Sequence, residues 1–328
     1  MRPRERSRRV TPAAALANLL GPGRRRTAVS RLTLSDAHPS VCVRGLVLAA
    51  VALFALTACS TVRVLYYGAD ILVRQYADDY VGLDGTLLAA WQPHLTEALA
   101  RHKAEELPYL ARFFDNALRG AQRGFDRQTV VCLEDQALLI YRRHARLVAD
   151  LAAPLLAASR AKQMQTLEAR LRDDWAEEAT GDAQAIARRE HKRAKRYADA
   201  ARWWVGGLTP AQEAIVQSAT QDMPDTAPVW EAYRRSRQQG LLRLLRQGAG
   251  EAEIRTYLAA WLVEQRDLPD SLAQAIQQMR ETFADLVVRL DASLSPAQRD
   301  QFLRRLRGLR DDFLALQNRP YLADLGCG

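Results

Sequence analysis

The sequence predicts an all-α fold, an elongated bundle of helical hairpins with roughly eight to ten helices after an N-terminal signal. Three observations carry this. From residue 59 onward Ala, Leu, Arg, Gln and Glu dominate and β-branched residues rarely cluster, a composition that favours helix. No alternating apolar and polar run of useful length occurs, so strands leave no signal. Apolar residues recur instead at threes and fours. Between Ser271 and Leu294 they are Leu272, Ile276, Met279, Phe283, Leu286, Val287 and Leu290, one stripe of a half-buried helix. Ser271, after Pro269, is placed as the N-cap of that helix.

Taken in chain order, residues 1–40 are rich in Arg, Pro and Ala, with "RPRERSRR" and "GPGRRR". They are expected to be disordered, or an upstream extension assigned to the chain in error, since Met1 and Met164 have no methionine between them. Residues 41–58 read as a signal peptide. Leu46 to Ala58 is 13 residues with no charge and Thr57 as the one polar group. A spanning helix needs about 20, whereas the apolar core of an export signal has about 7–15, with positive charge before it and small residues after it. Arg44 supplies the charge, and Thr57 and Ala58 the small residues. Cys59 follows. A thiol is nucleophilic enough to become a thioether, so cleavage between Ala58 and Cys59 with lipid attached to Cys59 is the expected processing. Residues 59–328 are then the mature helical domain.

Within that domain two helix starts repeat, "LTPAQ" at Leu208–Gln212 and "LSPAQ" at Leu294–Gln298. Each spells a capping box. Thr209 or Ser295 caps, proline takes the first helical position, and Gln212 or Gln298 reaches back to the cap. Looser echoes occur at Ser159–Gln163 and Leu83–Leu87. Spacings of 76, 49 and 86 residues between the four mark hairpin starts and do not make a regular solenoid.

The formal charge of +9 invites a nucleic-acid reading. Residues 1–58 hold ten Arg against Glu5 and Asp36, which leaves 37 basic and 36 acidic residues from Cys59 onward. No nucleic-acid partner is expected for so balanced a chain. One basic run stands out, with Arg188, Arg189, Lys192, Arg193, Lys195 and Arg196 ahead of Trp203 and Trp204. It reads either as an anion-binding or membrane-surface patch or as the solvated face of a helix. Cys132 and Cys327 remain after Cys42 and Cys59 are assigned to the signal and the lipid. An exported chain can join them in a disulfide or leave two thiols, and the sequence does not choose.

Chemistry is sparse. There is no Gly-rich phosphate loop, no Gly-x-Ser-x-Gly elbow and no Cys-x-x-Cys. His102, Glu105 and Glu106 fall at i, i+3 and i+4, on one face of an α-helix, with Asp78 and Asp79 on the helix before. A carboxylate-bridged metal site wants paired Glu-x-x-His motifs, and only one reversed copy is present. These residues are therefore read as a charged face that binds no metal. No cofactor and no catalytic residue are expected. His94, His102, His144 and His191 are read as standing alone, and Trp91, Trp175, Trp230 and Trp261 as core.

The four residues Leu56-Thr57-Ala58-Cys59 resemble the bacterial lipobox. Together with "VRVLYYGADILVRQYADDYVGL", "LARHKAEELPYL", "RWWVGGLTPAQ" and "PDTAPVWEAYRRSRQQGLLRLL", they resemble an uncharacterised family of Gram-negative lipoproteins, a domain of unknown function. The starts are also similar to the Leu-Thr-x-x-Gln motifs of small helical periplasmic chaperones. The resemblance implies export, lipidation and a helical fold, and implies no activity. The expectation is a lipid-anchored envelope protein, held in the outer membrane facing the periplasm because Ser60 follows the cysteine. It would act without enzymatic activity as an interaction, scaffold or chaperone-like protein with an envelope protein partner. Alternatives are an anionic-lipid or phosphate binder using the basic run, and a metal-dependent enzyme centred on His102.

Overall fold

The computed structural model describes residues 61–175 and 182–326, and every described secondary-structure element is helical. The segment expected to be a signal, the expected Ala58–Cys59 junction and Cys327 lie outside the described residues. In order the helices are α1 (Thr61–Tyr67), α2 (Ala69–Val81), α3 (Gly85–Arg101), α4 (Leu107–Arg123), α5 (Arg127–Ala157), α6 (Ala161–Trp175), α7 (Ala183–Val205), α8 (Pro210–Gln221), α9 (Ala227–Arg246), α10 (Glu251–Leu262), α11 (Asp270–Ala292) and α12 (Pro296–Leu316). A π-helical turn, His102–Glu106, joins α3 and α4 into one rod, so the described chain forms eleven rods. The count runs just above the expected eight to ten.

The π-turn has a local cause. A proline ring inside an α-helix clashes with the carbonyl four residues earlier. Pro108 lies in the first turn of α4 and would meet the carbonyl of Ala104. Widening the turn, with the Leu107 amide bonded to the His102 carbonyl, lets the rod continue past it.

Two apolar bodies meet the long helix α5 towards its opposite ends, and the helix spans about 45 Å at 1.5 Å per residue. At one end Val81, Trp91, Leu95, Ala153, Leu241, Ile254 and Leu258 bury a core shared by α2, α3, α5, α6, α9 and α10. Trp91 is 3% exposed, and its indole N–H donates to the Leu151 carbonyl at 2.9 Å. At the other Phe114, Leu118, Leu306 and Leu309 join α4 to α12, with Trp203 and Trp204 packed against them. Val216, Ala219 and Leu286 tie α8 to α11.

Beyond α12 the chain runs back as an extended strap. The Ala323 amide donates to the Pro108 carbonyl at 3.3 Å, and Arg112 Nε donates to the Ala323 carbonyl at 2.9 Å. Asn116 Nδ2 and Gln136 Nε2 both donate to the Leu325 carbonyl, at 3.0 and 3.2 Å. Gln136 Nε2 also lies 3.3 Å from Cys132 Sγ. Cys132 is disulfide-bonded, which decides against two unpaired thiols.

One start signal needs correction. Helix α11 begins at Asp270 and its cap position is Pro269, with no side-chain cap. Ser271 is therefore inside the first turn, because the fixed extended backbone of Pro269 sets the boundary two residues earlier than a hydroxyl cap at Ser271 would.

Candidate functional site

Four helix starts meet in two pairs. At the first pair, Asp84 caps α3 by accepting from the Leu87 amide at 2.8 Å. Its other oxygen accepts from Gln163 Nε2 at 2.9 Å. Gln163 Oε1 in turn accepts from the Arg160 amide at 3.2 Å, the opening of α6. Ser159 does not cap, because its hydroxyl donates back to the Leu155 carbonyl at 2.8 Å. At the second pair, Thr209 with Gln212 and Ser295 with Gln298 each form a complete capping box. The two glutamine side chains then bond each other reciprocally at 2.9 Å. Gln212 Nε2 also donates to the Ser293 carbonyl at 3.0 Å, and Gln298 Nε2 to the Gly207 carbonyl at 2.6 Å. Gln212 is 1% exposed, so an unmade bond to its side chain is costly. A left-handed glycine precedes one start in each pair, Gly82 at φ +70° and Gly206 at φ +90°. A Cβ on Gly206 would stand 2.9 Å from Gln301 Oε1.

The π-turn builds a second polar tie. His102 Nε2 lies 3.0 Å from His144 Nε2, and Tyr66 Oη lies 3.2 Å from His102 Nδ1. His144 Nδ1 is 2.8 Å from the Ile140 carbonyl. A carbonyl can only accept, so His144 Nδ1 carries a proton, and in the neutral ring its Nε2 accepts. His102 Nε2 must then donate, which leaves His102 Nδ1 to accept from the Tyr66 hydroxyl. Burial, with His144 adding to it, pushes the His102 pKa down to about 4, so this arrangement holds the His102 ring neutral. Burial likewise pushes the Tyr66 hydroxyl up to about 12. The reading of His102 and His144 as isolated is overturned.

Nor do the acids of this turn join His102. Glu106 is 3% exposed and accepts two bonds from Arg143, at 2.8 and 3.0 Å. The Arg143 guanidinium also stacks 4.0 Å over the Tyr109 ring. Glu105 is exposed, and Asp78 accepts from the Leu83 amide at 2.8 Å. Among the described residues no group of three or more His, Cys, Asp or Glu is placed to share a metal ion. Glu134 was not singled out by the sequence. Burial pushes its pKa up to about 7, against the pull of Arg280, whose Nε lies 3.7 Å away.

The basic run divides by face. Arg189 makes a fork-like pair with Asp225, at 3.1 and 2.5 Å. Arg193, 9% exposed, donates to the Met223 and Pro224 carbonyls at 2.8 and 3.0 Å. Both hold the α8–α9 loop onto α7. Arg188, Lys192, Lys195 and Arg196 are exposed, and Lys195 pairs with Asp199 at 3.0 Å.

Fold and sites together define an all-helical protein whose prominent polar groups are spent on ties between its own helices. The chain belongs to a family of unknown function, DUF6279, which matches residues 79–268. That stretch contains the histidine pair and the Asp84–Gln163 pair, and stops short of α11 and α12. No curated protein and no solved structure matches the chain.

Proposed function

We propose that this protein is a lipid-anchored component of the bacterial cell envelope that acts through binding rather than catalysis. The apolar run ending at Cys59 carries the reading, because its length, basic flank and small residues before a thiol suit an export signal whose cysteine receives the lipid. The Cys132 disulfide supports it independently, since such bonds persist in oxidising compartments and are rare in the cytosol. The binding role draws support from the commitment of His102, Glu106, Arg189 and Arg193 to internal partners. Mass spectrometry of the membrane fraction tests the anchor. The expected result is acylated Cys59 at the mature N-terminus with no peptide from residues 1–58. Signal residues retained on the mature chain would end the reading.

A second reading rests on one observation. Arg188, Lys192 and Arg196 are exposed at successive fourth positions of α7, so they form one stripe suited to phosphate groups. Vesicle flotation of the protein with all three changed to Gln, at low and high salt, tests it. Equal recovery of the variant and the parent protein would remove this reading.

A further inference from the structure

Exposed apolar side chains gather at one place. Val64, Leu65, Tyr67, Ile71 and Leu72 are between 41% and 76% exposed, all within nine residues of α1 and α2. Apart from Tyr76, also on α2, the other large apolar residues exposed among the described ones are spread along the chain, as at Leu139, Val229 and Tyr321. Scattered exposure is ordinary, whereas a clustered apolar face marks a contact.

The opposite face of the same two helices is docked. Arg63 Nε donates to Asp312 on α12 at 2.9 Å, Tyr66 meets His102, Val73 packs on the core and Ala77 is buried in it. The outward set is Val64 and Leu65 on α1, followed by Ile71 and Leu72 on α2. Gly68 between them, at φ −99° and ψ 12°, is outside α-helical geometry, so the outward set belongs to two helices and is defined by the exposure of its side chains. The apolar face gives way to Asp78 and Asp79, both exposed.

We propose that this outer face of α1 and α2 lies on the lipid bilayer surface and fixes how the helical body stands on the membrane. The inference rests on the anchor reading above. Its occupant follows from the chain that precedes α1. The apolar run ends at Ala58 and the exposed face begins at Val64, with five residues between. Even fully extended, those residues span no more than about 20 Å. A chain held in the membrane up to Cys59 therefore has this face beside the lipid before anything else can cover it. Apolar residues with a tyrosine at the headgroup level are the composition that interfacial helices use. The acids at the far end suit a contact that stops there, since an anionic leaflet repels them.

The test uses full-length protein processed in a Gram-negative host, purified and reconstituted in vesicles of phosphatidylethanolamine and phosphatidylglycerol. The photo-crosslinking residue p-benzoylphenylalanine replaces Leu72, Tyr67 or, as a control, Val229. Phospholipid adducts are expected from the first two positions and none from the third. The acylation state of Cys59, read in the same samples, separates the two proposals. Acylated protein that gives no lipid adduct at Leu72 and Tyr67, or that crosslinks there to a second copy or another protein, overturns this inference and leaves the anchor standing. Unacylated Cys59 overturns the anchor, and this inference with it.

Discussion

The histidine tie and the glutamine tie are nearly the same length and behave differently. His102 and His144 meet at 3.0 Å between two ring nitrogens, joining residues 42 apart. Gln212 and Gln298 meet at 2.9 Å, joining residues 86 apart. A primary amide carries donor and acceptor together, so the glutamines satisfy each other reciprocally at any ordinary pH. A neutral imidazole divides those roles between its two nitrogens, so the histidine tie works only while a proton stays off one ring. The comparison teaches that a polar link of given geometry can be made permanent or conditional by the choice of side chain alone.

The largest expected effect breaks the conditional tie. The His102 pKa lies below its ordinary value of 6.5, at about 4. Between those values the unfolded chain binds a proton that the folded chain refuses, so stability is full above pH 6.5 and falls as pH drops towards 4. The gap corresponds to about 3 kcal/mol across the window. Denaturant midpoints at pH 7.0 and 4.5 should show most of that loss in the parent protein and much less in His102→Gln. Equal acid sensitivity in the two would show that His102 is not the group responsible.

Next comes the permanent tie. Gln212→Ala removes the bonds of a buried side chain to Ser293, Gln298 and the Thr209 amide, at a cost of about 2–3 kcal/mol. The deficit should be the same at pH 7.0 and 4.5. Adding Gln298→Ala should cost less than the single changes sum to, because both act on one network. Strict additivity would show that the two amides are not coupled in solution.

Smaller losses should follow from the hydroxyl caps alone. Thr209→Ala and Ser295→Ala are each expected to cost about 0.5–2 kcal/mol, which thermal melts would register. Smallest is the change at the first pair of starts. The Leu87 amide, aided by Gln163, holds the Asp84 carboxyl below the usual carboxylate range. Its contribution is present above the unfolded value of about 3.9 and is lost as pH falls through the lower folded value. The melting difference between the parent protein and Asp84→Asn should persist at pH 5 and close in stronger acid. A difference that already closed between pH 6.5 and 5 would place the titration elsewhere.

The helical fold was legible because composition and the threes-and-fours stripe act locally, residue by residue. The capping boxes of the structure sit at the two pentapeptides that repeat, again because a cap involves residues three apart. The histidine tie was illegible for the converse reason. Nothing near His102 points to His144, and the turn that aims it follows from a clash with Pro108 that periodicity does not weigh. The basic run shows a signal that was present and unused. Arg189 and Arg193 are four apart and in register with buried Ala185, while Arg188, Lys192 and Arg196 lie on the next face round. Resolving the run by helical angle, instead of counting it as one patch, separates the structural arginines from the exposed stripe.

The pairing of helix starts also bears on how the chain reaches its native state. Gln163 and Asp84 are 79 residues apart, and Gln212 and Gln298 are 86. An all-helical chain would ordinarily draw on local contacts and fold quickly, but each of these links closes a long loop before it returns any stabilisation. The hairpins can form early from their own sequence. Their docking at the two junctions must wait for distant segments to meet, so search along the chain, rather than helix formation, is the step expected to limit folding.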